Sequence, residues 1–183
     1  MPDDHKRQRI LAAATAVFAE RDFHRVQVSH VATRARVGKG TVYLYFPSKD
    51  DLHQAALEAS LKHLADEVEQ AAAAEASVET VLREIVLRII RFFWKRQHLL
   101  TFVQRYERRG GRPRGRRHRA LKAVDGVLAR HGFGGHRTRH LDAAFLLGLA
   151  RAAILEHAAS DRPEAVAQHV VDVYLRGVPR TAS

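Results

Sequence analysis

The sequence predicts an all-α fold, with an N-terminal three-helix helix-turn-helix domain in residues 1–50 and a larger C-terminal helical bundle in residues 51–183, with about nine helices in all. Apolar residues recur at helical spacing along the chain, and no alternating strand pattern is present. Residues 35–52 read as a tight turn between short amphipathic helices. A chain of 183 residues has room for both domains.

The helix-turn-helix prediction rests on small apolar residues whose spacing pins two short helices together. They are Val28, Val31, Ala32, Ala35, Val37, Val42 and Phe46. Arg36, Val37 and Gly38 leave room only for a tight turn, so the second helix, residues 39–46, crosses the first steeply and fits the DNA major groove. Pro47 ends this helix, and Ser48, three residues before Asp51, is predicted to cap the next.

The second short helix is predicted to expose the residues that its apolar side does not use. They are Lys39, Thr41, Tyr43, Leu44 and Tyr45. Two tyrosines and a leucine exposed together need a partner. Lys49 stands in the first turn of the following helix, where a helix N-terminus also attracts phosphate.

The segments ARVGKGTVYLYFPSKDDL and, as first helix in residues 10–23, ILAAATAVFAERDF resemble the TetR family of bacterial transcription regulators. The usual family pattern over the first segment is close to a-G-V-S-k-G-T-l-Y-x-h-F-x-s-K-e-x-L. Arg36 replaces the turn glycine, Gly38 the capping serine, Asp22 another glycine and Gln27 a threonine. We expect Arg36 to adopt a left-handed conformation at some strain, and Gly38 to act as a weaker cap.

The resemblance implies a homodimeric regulator, most simply a repressor, that binds a palindromic double-stranded DNA operator. It assigns DNA contact to Ser29, Thr33, Arg34, Lys39, Gly40, Thr41, Tyr43, Leu44, Tyr45 and Lys49. Thr41 and Leu44 would meet base edges, whereas Tyr43, Tyr45 and Lys49 would chiefly hold phosphates. His5, Lys6 and Arg7 are further candidates for the DNA backbone or minor groove.

Positive charge is concentrated in two places. Residues 1–50 hold 9 Lys+Arg against 5 Asp+Glu, residues 105–119 hold 8 against 1, and the remainder is balanced at 14 against 14. This distribution favours a nucleic-acid partner, although any single basic residue can be merely solvated. An architectural protein that binds DNA without sequence preference is the alternative, but it would leave Thr41, Tyr43 and Tyr45 without a purpose.

Beyond residue 52, periodicity predicts helices at residues 48–74, 78–97, 98–108, 118–131, 138–159 and 163–177. The last two carry apolar stripes that form either intrachain core or half of a four-helix dimer interface, and the resemblance favours the interface. The stripes contain Leu141, Phe145, Gly148, Leu149, Ala152 and Leu155 on one helix, and Val166, Val170, Val173 and Tyr174 on the other.

A group of aromatic residues near the centre of the chain is either plain core or an effector pocket. The candidates are Phe92, Phe93, Trp94, His98, Phe102 and Tyr106. The resemblance implies a small apolar or amphipathic effector here. The effector would release the protein from DNA by favouring another spacing between the two DNA-binding domains of the dimer.

The arginine-rich segment, residues 105–119, has three interpretations that the sequence leaves open. It is a solvated flexible loop, a supplementary minor-groove arm resembling an AT-hook, or a clamp for the phosphates of an anionic effector.

Other classes of function find no support in the residues. No phosphate loop, nucleophile elbow or metalloprotease helix is present, so we expect no enzyme. The chain has no cysteine, and neutral surface histidines are the expected state of His131, His136 and His140, so neither a metal nor another cofactor is predicted. The N-terminus lacks an apolar signal region and no apolar run could span a membrane, which predicts a soluble cytoplasmic protein.

Overall fold

A computed structural model describes residues 4–94, 96, 114–133, 139–156 and 162–177, and within these ranges the chain is all-α, as predicted. The helices are α1 (Asp4–Glu20), α2 (Val28–Ala35), α3 (Lys39–Tyr45), α4 (Lys49–Ala72), α5 (Val78–Trp94), α6 (Arg114–Arg130), α7 (Arg139–Glu156) and α8 (Pro163–Gly177), with a short 3₁₀ turn at Phe23–Arg25. The predicted helix at residues 98–108 lies outside the described residues.

The chain divides into two compact units, Met1–His63 and Leu64–Ser183. The division falls within α4, which is a single helix from Lys49 to Ala72. The boundary predicted between residues 50 and 51 falls in the first turn of this helix.

The first unit is built on one apolar core to which α1, α2, α3 and the start of α4 all contribute. Ile10, Val31 and Val42 are almost completely buried there, and α2 packs against both α1 and α3. α1 begins earlier and ends earlier than the predicted residues 10–23. Its first turn is joined by a 3.0 Å hydrogen bond from Gln8 Nε2 to Asp4 Oδ2, and after Glu20 the chain turns through extended Asp22 into the 3₁₀ turn.

The second unit is organised around α5, which is apolar on most of its surface and packs against α6, α7 and α8. Its buried residues are Val78, Val81, Leu82, Ile85, Val86, Leu87, Ile89, Ile90 and Phe92. Polar links at the rim join the same helices: Arg91 forms an ion pair with Glu164, and Arg83 Nη1 donates to Gln168 Oε1 at 3.1 Å. α5 is therefore the centre of this unit, because a helix that is apolar on most of its surface requires other helices to cover it.

The other helix limits agree with the predictions to within a few residues except in α6. α8 has the predicted bounds, because Pro163 suits a first helical position and Gly177 a last one. α6 begins at Arg114, within the segment interpreted as a loop, since arginine is a good helix former. No helix in the described ranges is both long and apolar enough to cross a membrane.

Candidate nucleic-acid interface

Helix α3 has one buried and one exposed side. Val42 is only 1% exposed, whereas Leu44 is 75% and Tyr43 40% exposed. Lys39 and Gly40 are also exposed, and Thr41 is half-buried. Tyr45 differs from the prediction, because it is half-buried and packs against the apolar core. It lies three residues after Val42 and so shares part of the inward side of the helix.

The turn before α3 has the left-handed residue that the sequence predicts. Arg36 has φ 53° and ψ 49°, and the amide of Val37 donates to the Ala32 carbonyl at 3.0 Å. Gly38 then precedes α3 in an extended conformation without a side-chain cap, and its carbonyl accepts from the amides of Thr41 and Val42. Backbone hydrogen bonds to Gly38 therefore take the place of a side-chain cap at the start of α3.

The start of α4 is capped as predicted. The Asp51 amide donates to Ser48 Oγ at 3.0 Å, and Ser48 Oγ donates to Asp51 Oδ2 at 2.7 Å. Lys49, in this first turn, places Nζ 4.2 Å from the ring centroid of Phe23, which is a close cation-π contact. This position of Phe23 could not be predicted, because nothing local in the sequence links the 3₁₀ turn to the start of α4.

Behind Lys49 lie the buried rings of Phe18 and His53 and the half-buried ring of Phe23. The imidazole of His53, one helical turn after Lys49, is only 2% exposed. Its ring centroid lies 4.5 Å from that of Phe18 and 4.9 Å from that of Phe23. The spacing of Lys49 and His53, four residues apart on one helix, was the only sequence signal for this arrangement. The rings hold the surface beneath Lys49 in a fixed position.

The residues of α2 that were predicted to contact DNA differ in their exposure and in their contacts within the chain. Thr33 is exposed, whereas half-buried Ser29 donates through Oγ to Gln27 Oε1 at 3.3 Å. Arg34 forms a 2.7 Å ion pair with Glu20, and both side chains remain about half exposed. An ion pair this exposed is weak and exchanges readily, so Arg34 stays available to an anion.

The N-terminal basic residues do not form a separate arm. His5, Lys6 and Arg7 lie in the first turns of α1 and are exposed there. The Arg7 guanidinium lies 5.3 Å from the ring centroid of Phe46, the residue that follows α3. Any contact of these residues with a nucleic acid would therefore come from a helix end.

The aromatic group at the end of α5 is described only in part. Phe92 is buried and meets Phe93 edge to face, with ring centroids 5.1 Å apart. Trp94 is half-buried, and its buried Nε1 has no hydrogen-bond partner within the described residues. His98, Phe102 and Tyr106 lie outside the described residues, so the pocket stays a prediction.

The stripes of the last two helices separate into exposed and buried residues. Leu141, Phe145, Leu155 and Val173 are large apolar side chains on the surface, with Phe145 62% exposed, and Gly148 and Ala152 are exposed beside them. Leu149 and Val166 are half-buried. Val170 and Tyr174 are buried within the single chain and so belong to its own core. Burial, reinforced by the charge of Asp142, raises the pKa of the Tyr174 hydroxyl well above its usual range.

Arg119, at the end of the arginine-rich segment, is already engaged by carboxylates of α4. Its Nε donates to Glu69 Oε1 at 2.7 Å, and its Nη2 donates to Asp66 Oδ1 at 2.6 Å. These hydrogen bonds raise the pKa of Arg119 and lower that of the Glu69 carboxyl. Arg119 is therefore a link between α6 and α4 rather than part of an open anion clamp. Residues 105–113 lie outside the described residues.

Among the residues that the structure describes, no three His, Asp or Glu side chains are grouped so that they could hold a metal ion. His136, in the histidine group considered from the sequence, lies outside this part.

Comparison with known proteins adds a family to this geometry. Residues 10–56 match the family of bacterial regulatory proteins described as the tetR family. The transcriptional activator FasR of Mycolicibacterium smegmatis is 37% identical over 71 residues, which are 39% of this chain and 32% of that protein. The transcriptional repressor KstR of the same species is 35% identical over 96 residues, or 52% of this chain and 47% of that protein. The chain thus spans less than half the length of these curated relatives.

The described fold is similar to solved structures over nearly the whole chain. A tetR-family regulator from Mesorhizobium loti superposes with a TM-score of 0.74 at 20% identity, covering 96% of this chain and 97% of the other. At that identity the likeness concerns the fold alone. The match of residues 10–56 confirms the predicted resemblance, and the matched family is one of regulatory proteins rather than enzymes. The superposition confirms the all-α fold.

Proposed function

We propose that the chain, whose residues 10–56 match the tetR family of bacterial regulatory proteins, is a transcriptional regulator that recognises DNA with α3. The observation that carries the proposal is the two-sidedness of α3. Val42 anchors the helix in the core, while Leu44 and Tyr43 project from it without an apolar neighbour to cover them. A seven-residue helix held in this way fits the major groove of B-form DNA.

The exposed side of α3 and the adjoining helix starts supply the contacts. Leu44, and Thr41 beside it, meet base edges, where the methyl of thymine is a suitable apolar partner. Lys39 at the start of α3 and Lys49 at the start of α4 hold phosphates, because a cation and a helix N-terminus both attract them. Tyr43 adds a phenolic hydroxyl to this set, and half-buried Tyr45 a smaller share.

Gly40 has a part in the same surface. A β-carbon built on Gly40 would meet nothing within 4 Å, so the fold of the chain gives no reason for a glycine in this helix. A glycine allows another molecule to approach the helix backbone closely. We assign this approach to the DNA sugar-phosphate backbone, with Ser29, Thr33 and Arg34 of α2 contacting the same strand.

Homodimerisation through α7 and α8 is the second part of the proposal. Leu141, Phe145, Leu155 and Val173 expose large apolar side chains, and a partner helix could approach closely at Gly148, whose added β-carbon would meet nothing within 4 Å. Two such faces would form an isologous four-helix interface. Val170 and Tyr174 support this interface from the core beneath it. A symmetric dimer requires a palindromic operator.

The third part of the proposal is an effector that releases the repressor from DNA. Buried Phe92 and half-buried Phe93 and Trp94 form an apolar end to α5, and the indole N–H of Trp94 is a donor that a ligand oxygen could satisfy. This chemistry fits a small apolar or amphipathic molecule with one polar group. His98, Phe102 and Tyr106 complete the proposed set.

Selection of bound fragments from randomised double-stranded DNA, at physiological salt, tests the central proposal. We expect an enriched palindromic motif. Binding without an enriched motif would instead indicate an architectural protein that recognises the DNA backbone only.

A matched pair of variants then places the contact on α3. Lys39 on α3 and Lys62 on α4 are both exposed and both lie in the first compact unit. Lys39→Ala should weaken binding to the enriched motif and flatten its dependence on salt, because a phosphate contact is lost. Lys62→Ala also removes one positive charge, and it should leave the binding and its salt dependence unchanged. Equal effects of the two substitutions would contradict the assignment of α3.

A further inference from the structure

The turn between α2 and α3 contains a residue in a conformation that its side chain disfavours. Arg36 is the one non-glycine residue with positive φ in the described part of the chain. The left-handed conformation places the β-carbon too close to the backbone, and glycine avoids this conflict. The turn that directs α3 therefore depends on other contacts for its stability.

Part of that stability comes from the backbone. The Val37 amide donates to the Ala32 carbonyl at 3.0 Å, and the Arg36 amide donates to the Thr33 carbonyl at 3.1 Å. This pair of hydrogen bonds is the Schellman arrangement that ends many helices. It satisfies two of the last carbonyls of α2 and leaves those nearer the turn to other donors.

Arg9 of α1 supplies such a donor. Its Nη2 donates to the Ala35 carbonyl at 2.8 Å and reaches the Arg36 carbonyl at 3.4 Å. Its guanidinium thus joins the last residue of α2 to the left-handed residue itself. A positive charge at a helix C-terminus also interacts favourably with the helix dipole. The next residue on α1, Ile10, is fully buried, which fixes the base of the Arg9 side chain.

From this geometry we propose that Arg9 is a positioning residue for α3. It stabilises the left-handed turn at Arg36 and thereby holds the crossing of α2 and α3 at the angle that presents Lys39 and Leu44 to DNA. The proposal rests on the proposed function, and it assigns Arg9 to the turn rather than to a DNA phosphate.

The salt dependence of operator binding separates these two roles. Arg9→Ala should weaken binding about tenfold, and the slope of log affinity against log salt should stay that of the wild type. Loss of a direct phosphate contact would instead flatten the slope by about 0.9 for each contact removed. Exposed Arg21→Ala, in the same compact unit, is the charge-matched control and should leave the affinity unchanged.

A second background tests the connection to Arg36. In the Arg36→Gly variant the left-handed turn no longer strains a side chain. Adding Arg9→Ala to this variant should therefore weaken operator binding only about threefold, which is less than the loss in the wild-type background. Arg9→Lys, which keeps a charged donor but loses the planar fork, should retain part of the affinity in the wild-type background. Equal losses in both backgrounds, or a flatter salt slope for Arg9→Ala, would overturn the proposal.

Amide hydrogen exchange without DNA distinguishes failure of this proposal from failure of the proposed function. The Val37 amide should exchange about tenfold faster in Arg9→Ala, while amides within α5 should not change. If the wild type enriched no DNA motif, the proposed function would fall, and faster exchange at Val37 would still assign Arg9 to the turn. An unchanged exchange rate at the Val37 amide would show that Arg9 does not stabilise the turn, even if the protein binds its operator well.

Discussion

Replacing Gly40 with alanine should make the protein more stable and a poorer DNA binder. An alanine β-carbon at this position has open space around it, so the fold accepts it without rearrangement. Alanine in place of a helical glycine stabilises by about 0.5–1 kcal/mol. On the operator, the same methyl occupies the space assigned to the DNA backbone, and overpacking of this kind costs about 1–3 kcal/mol. That corresponds to about 5- to 150-fold weaker binding.

Thermal unfolding and a DNA titration measure these opposed effects on the same sample. Gly126→Ala in α6 is the matched control, because its added β-carbon would make only an ordinary contact, 3.9 Å from Arg130 Nη1. The control should gain stability to a similar degree and keep the wild-type affinity. A Gly40→Ala variant that binds the operator as well as the wild type would refute the close approach of DNA to α3.

Three further outcomes follow from contacts described above. Phe145→Asp should convert the protein to monomers in analytical ultracentrifugation, because it places a charge in the exposed apolar face of α7; a dimer of unchanged affinity would contradict that interface. Phe23→Leu should weaken operator binding by about 0.5–1 kcal/mol in titrations, since it removes the aromatic face beneath Lys49, and wild-type binding would show that the ring does not position the ammonium. Arg119 lowers the pKa of Glu69, so the stability that wild type gains over Glu69→Gln in chemical denaturation should be full near neutral pH and decline as pH falls below about 4.3 and through the lowered pKa; a difference that grows on acidification would contradict the ion pair.

Features with a local signal could be predicted from the sequence. The inward Val42 and outward Leu44 follow from helical periodicity, and Ser48 before Asp51 is a local capping pattern. The left-handed Arg36 was predicted through the family resemblance, because Arg36 stands where the family has its turn glycine. In the first two cases the residues concerned are near neighbours in sequence, so the spacing alone decides the geometry.

Contacts between distant segments had no such signal. Arg9 meets Ala35, and Arg119 meets Glu69, through side chains that are long and flexible and that could equally well have pointed into solvent. The burial of Val170 and Tyr174 depends on which helices cover α8, and periodicity cannot distinguish a stripe that faces the chain's own core from one that faces a second chain.

The pairing of α5 with α8 has a consequence for the synthesis of the protein. Helix α5 ends at Trp94, but its partner α8 is complete only at Gly177. At about 5–20 residues per second, the ribosome needs roughly 4–17 seconds to reach the end of α8. During that interval the largely apolar helix α5 lacks part of its cover, whereas residues 4–63 already possess all the contacts of their own core. The nascent chain therefore passes through a stage in which a formed N-terminal unit precedes an exposed apolar helix, and transiently exposed apolar surface of this kind favours aggregation.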